Sequence, residues 1–92
     1  MKITSSIELL DWFKKVADIE SDYMVSKLTG ISKQAISRIR NGEGDFADYS
    51  ALQLLVIAEH PKPLETMAYL EAEKAKKRGD EKMEKIWRSQ VA

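Results

Sequence analysis

The chain has 92 residues, 43% of them hydrophobic and 33% charged, with fifteen Lys and Arg balancing fifteen Asp and Glu. That length suits one hydrophobic core, and that balance describes a folded domain and excludes a disordered tail or a polybasic arm. The lack of cysteine excludes disulfides and thiol catalysis, and the single histidine, His60, leaves no zinc set, so no metal or cofactor is expected. The start of the chain turns polar at once, without an apolar signal region. The longest apolar run, Leu54 to Ala58, is far shorter than the roughly 20 residues of a membrane span. A soluble cytoplasmic protein with no membrane partner is expected.

Apolar residues recur at spacings of three and four, and alternating runs are missing, so the chain reads as helical throughout. Ser5 and Glu8 have the form of a capping box, and Ile7, Leu10, Phe13 and Val16 predict a helix over about 6–17. Ser21 or Asp22 starts a short second helix with Met24, Val25 and Leu28 inward, and Gly30 stops it. Ser32 caps a third helix with Ala35, Ile36 and Ile39 inward, closed by Asn41-Gly42. Asp48 is placed to cap a fourth. Its apolar positions, Tyr49, Leu52, Leu54, Leu55, Val56 and Ile57, go almost all the way round, which predicts the most buried element. Pro61 and Pro63 separate it from a helix over Leu64 to about Arg78. Gly79-Asp80 precede a last helical stretch carrying Met83, Ile86, Trp87 and Val91.

Two short helices joined by a three- to four-residue turn containing glycine have the geometry of a helix-turn-helix, whose second helix enters the DNA major groove. At roughly 100° per residue, with Lys33 at zero, Ser37 falls at about 40°, Asn41 at about 80°, Gln34 at about 100° and Arg38 at about 140°. These five polar residues share one face, opposite Ala35, Ile36 and Ile39, and no carboxylate interrupts them. Lys and Arg donate to guanine O6 and N7, Gln pairs with adenine, and Ser and Asn suit phosphates.

The run from Gly30 through Ser32, Lys33, Gln34, Ser37, Arg38 and Arg40 to Asn41-Gly42 resembles the turn and recognition helix of the lambda repressor and Cro-like family. The resemblance is strongest over 21–42, and the helix order extends it to about 5–70. It implies an all-α, compact five-helix lambda-repressor-like domain, here over 1–78, with an additional C-terminal helix over 79–92. It also implies a phage or bacterial regulator binding operators as a two-fold dimer. By the same resemblance Lys33, Gln34 and Arg38 stand where base edges are read, and Ser37 and Asn41 stand near the backbone. The DNA-binding set is Ser32, Lys33, Gln34, Ser37, Arg38, Arg40 and Asn41. Three positions depart from the family pattern. Asp22 replaces a phosphate-gripping glutamine, Ser26 a packed alanine, and Arg40 a frequent glutamate.

The other aromatic and charged features have plainer readings. Trp12, Trp87 and the tyrosines belong to packing, His60 to a helix end, and Lys74 to Arg78 to a solvated face. Asp45 and Asp48 lack a histidine, cysteine or metal cluster, so no enzyme is expected. The stripe of Met83, Ile86, Trp87 and Val91 is a candidate homodimer seam.

The expected function is a sequence-specific transcriptional regulator of double-stranded DNA. The alternative is a protein-interaction module on the same fold, an antirepressor or an inhibitor of a host protein, which Asp22 and the acidic 43–59 segment favour. Divided by segment, the neutral chain is uneven: 21–42 carries four basic residues and one acidic, and 43–59 carries none and four. Whole-chain neutrality therefore does not exclude DNA.

Overall fold

Ser5, Ser21 and Ser32 each open a helix in the computed structural model, which describes residues 2–91. In each case the hydroxyl accepts from the backbone N–H three residues on, at 3.1–3.2 Å, and so satisfies one of the donors that a helix start leaves unpaired. The described residues form six helices and no strand: α1 Ser6–Val16, α2 Asp22–Thr29, α3 Lys33–Arg40, α4 Asp48–Ile57, α5 Pro63–Lys77 and α6 Glu81–Ser89. Glu8 turns its carboxylate to the N–H and hydroxyl of Thr4, 2.8 and 2.7 Å away, one residue before the cap. Gly30 and Gly42, which follow α2 and α3, take the left-handed backbone with φ of 79° and 77°, a conformation that costs glycine little.

The core is built where α1 to α4 converge. Leu9, Leu10 and Phe13 of α1, Val25 of α2, Ile36 and Ile39 of α3, and Leu54 and Leu55 of α4 are all buried, together with Ile3, Phe46 and Leu70. Each such side chain is worth about 1.5–3 kcal/mol of transfer free energy. α2 packs on α3, α1 on α3 and α4, α4 on α5, and α5 on α6. No helix among the described residues is long and apolar enough to cross a membrane.

Several inward assignments need correction. Only Val25 of α2 is buried, while Met24 and Leu28 are about half exposed; eight residues pack against a neighbour along one line, leaving the flanking positions outside. Val16 is likewise exposed at the end of α1. α4 is not the most buried element. Ala51, Leu54 and Leu55 face the core, whereas Tyr49 is 77% and Val56 60% exposed. Asp48 does not cap it either: Ala47 occupies that position without a side-chain bond, and the Asp48 carboxylate accepts from Lys74 of α5 at 3.0 Å. α4 ends at Ile57, ahead of both prolines. Glu59 is left-handed there with φ of 55°, and His60 N–H returns to the Leu55 carbonyl at 2.8 Å.

The acidic loop after α3 is pinned from both sides. Ser6, buried at the start of α1, donates to Asp45 at 2.9 Å and accepts from the Phe46 N–H at 3.1 Å. From α5, Lys74 donates to the Phe46 carbonyl at 2.8 Å, and Lys77 reaches Asp45 at 3.3 Å. Two lysines of the basic run thus face carboxylates of the loop and of the start of α4, not solvent alone. α6 starts on a cap from Asp80 to Met83 N–H, and Arg88 ties it to Glu73 of α5 at 3.1 Å. α6 therefore lies against α5.

Candidate nucleic-acid interface

The three residues between α2 and α3 are held by side chains of α2. Ser26 donates to the Ile31 carbonyl at 2.7 Å, and Thr29 donates to the Val25 carbonyl at 2.7 Å while accepting from Ile31 N–H at 3.2 Å. The Ser26 hydroxyl thus ties α2 across the turn. Gln53 of α4 adds a contact to the Thr29 carbonyl at 3.4 Å. With Ile36 and Ile39 buried beneath it, α3 is fixed in rotation as well as in position.

That rotation leaves Ser32, Lys33, Gln34, Ser37, Arg38 and Asn41 exposed on one outward surface. The Ser32 hydroxyl is engaged as a cap acceptor, and its proton remains available to an outside acceptor. Neither Lys33 nor Arg38 has a carboxylate within ion-pair distance among the described residues. Arg38 lies beside Gly44 and makes a long 3.5 Å contact from Nη2 to the Glu43 carbonyl.

Arg40 is placed differently from the other six. Its Nε and Nη2 donate to the two oxygens of Asp22 at 3.0 Å each, its Nη1 stands 2.8 Å from Asp11, and Lys14 donates to Asp22 at 2.9 Å. The four residues form a half-buried ion network joining α1, α2 and α3. Hydrogen bonding from Arg40, with a further bond from Lys14, lowers the Asp22 pKa to about 2, and the same bond raises that of Arg40. Asp22 is therefore ionised with both oxygens engaged inside the protein, and the Arg40 guanidinium is committed to carboxylates.

Tyr23 departs from its assignment to packing: the ring is half exposed, with the Lys33 ammonium 5.1 Å and the Lys27 ammonium 5.6 Å from its centre. Its spacing of four from Lys27 on α2 is visible in the sequence, but the approach of Lys33 depends on how α3 folds back. Tyr49 is also exposed, whereas Trp12 is partly buried and meets His60 edge-on at 5.0 Å. Among the described residues no group of three His, Cys, Asp or Glu is arranged to hold a metal.

Over all 92 residues of both chains, the sequence is 63% identical to uncharacterized protein Gp-c of Pseudoalteromonas phage PM2. The chain belongs to the Gp-c family. No family model and no solved structure matches it. The Gp-c relative is a phage protein.

Proposed function

We propose that this Gp-c family member is a phage-derived transcription regulator with a lambda-repressor-like helix-turn-helix, which reads a double-stranded operator through α3. The observation that carries the reading is the outward surface of α3. Lys33, Gln34, Ser37 and Arg38 are exposed together over a buried Ile36 and Ile39, and neither cation has a carboxylate within ion-pair distance among the described residues. Arg38 suits a guanine edge and Gln34 an adenine edge, while Lys33, drawn over the Tyr23 ring, suits the strand backbone together with Ser32, Ser37 and Asn41. Arg40 acts by holding α3 in place through Asp22, not by touching DNA. Regulation follows from occupancy of the site in the cytoplasm, and the chain carries no catalytic role.

A homodimer would place two copies of α3 on half-sites about 34 Å apart. Apolar surface for it exists in the groove between α4, α5 and α6, lined by Leu52, Leu64, Met67, Ala68 and Trp87. Leu64 is 76% exposed there. The seam then lies on α5 as well as on the C-terminal stripe.

The exposed Met24 and Leu28 favour the second reading, a helix-turn-helix module that binds a host or phage protein. Its other grounds weaken, because Asp22, Asp45 and Asp48 are all engaged by cations of the same chain. Selection of bound sites from random duplexes by the full chain separates the two. Enrichment of a two-fold sequence motif is expected, and no enrichment over unbound duplexes would overturn the operator reading.

A further inference from the structure

We infer that Tyr23, Lys27 and Lys33 form a docking site for a DNA phosphodiester at the edge of the α2–α3 unit, with Tyr23 as the residue that positions the two ammonium groups. The inference rests on the DNA-binding reading and adds to it a backbone contact from α2.

Tyr23 and Lys27 are one helical turn apart and lie across α2 from the buried Val25, so both project to solvent. Lys33 opens α3, and its ammonium comes over the same ring, 5.1 Å from the centre against 5.6 Å for Lys27. Each separation lies within cation–π range. Two ammonium groups drawn to one ring repel each other. Neither has a carboxylate within ion-pair distance among the described residues. An external anion at the edge of the ring would relieve that repulsion and meet donors from both helices.

The adjacent Asp22 would repel a phosphate if its carboxylate were free. Both its oxygens are instead bonded to Arg40, and one of them also to Lys14, so its charge is offset within the chain. The first turn of α2 therefore offers no grip of its own, and the basic contact is moved one turn along, to Lys27. Next to the ring a cleft of about 240 Å³ opens between α2 and α3, with Ile36 in its lining, the paired Asp22 and Arg40 at its side, and Ser37 and Asn41 supplying further polar groups. The site is open and continuous with the outward surface of α3. That suits a strand running past it, not an enclosed small anion.

The test is the binding of the full chain to a labelled mixed-sequence duplex across a range of NaCl concentrations, with folding checked by thermal melting. Each phosphate contact contributes roughly 0.9 to the slope of log affinity against log salt. Lys27→Ala is expected to reduce that slope by about one, and Tyr23→Ala to weaken binding several-fold, both without a change in sequence preference. Tyr23→Phe keeps the ring and is expected to behave as the unaltered chain. If the unaltered chain shows salt-dependent binding and Lys27→Ala and Tyr23→Ala keep its slope and affinity, the docking site is refuted and the DNA reading stands. If the unaltered chain shows no salt-dependent binding, both fall.

Discussion

The Arg40 guanidinium bonds both oxygens of the Asp22 carboxylate, Nε to Oδ2 and Nη2 to Oδ1, at 3.0 Å each. The pair joins the last residue of α3 to the first of α2, and Asp11 and Lys14 extend it to α1. Its side chains are about one-third exposed, so solvent screens it in part and its contribution is about 1 kcal/mol. Arg40→Ala is expected to lower the unfolding free energy by that amount, measured by urea titration. A double-mutant cycle with Asp22→Ala is expected to be non-additive because the two share one interaction.

Acid should reveal the same pair. The Asp22 pKa is about 2 in the folded chain, against roughly 3.9 for an unfolded aspartate. The folded state thus holds its proton less tightly. The stabilisation is complete above pH about 4 and is lost as pH falls from there toward about 2. Solvent screening limits it to about 1 kcal/mol. Asp22→Asn is expected to flatten the stability profile across that window, read as melting temperature against pH.

Ser6 carries the acidic loop. Its hydroxyl is the partner of the Phe46 N–H and of Asp45. Ser6→Ala would leave a buried N–H unsatisfied, at a cost of about 1–3 kcal/mol. Amide exchange at Phe46 is expected to accelerate more than that of the α1 core.

The homodimer reading makes its own prediction. A charge placed at the exposed Leu64 would disrupt a seam without opening the core. Sedimentation of the full chain is expected to give a dimer, and Leu64→Asp a folded monomer. A monomer in both cases would refute the seam.

Helix starts and stops are the part of this fold that the sequence states openly. Ser5, Ser21 and Ser32 use short side chains to bond nearby N–H groups, and Gly30 and Gly42 close their helices, all through local interactions. Burial was legible where a helix has one clear apolar line, as in Ile36 and Ile39 of α3. It was misread in α2 and α4, because apolar periodicity cannot tell how many neighbours will pack around a helix. The outward group on α3 was legible from its spacing. The committed role of Arg40 and the gathering of Lys33 on Tyr23 were not, since both need residues brought together from separate helices.

The central claim is that α3 reads DNA, and Arg38 is its most direct probe. It is exposed, pairs with no carboxylate among the described residues and lies outside the core. The decisive measurement is affinity for a selected duplex against NaCl concentration, for the full chain and for Arg38→Ala. Log affinity is expected to fall linearly with log salt. Arg38→Ala is expected to lose about 1–3 kcal/mol on the selected sequence and to relax preference at one base pair, with its melting temperature unchanged. Binding that is absent, or equal affinity in the two chains, would contradict the claim.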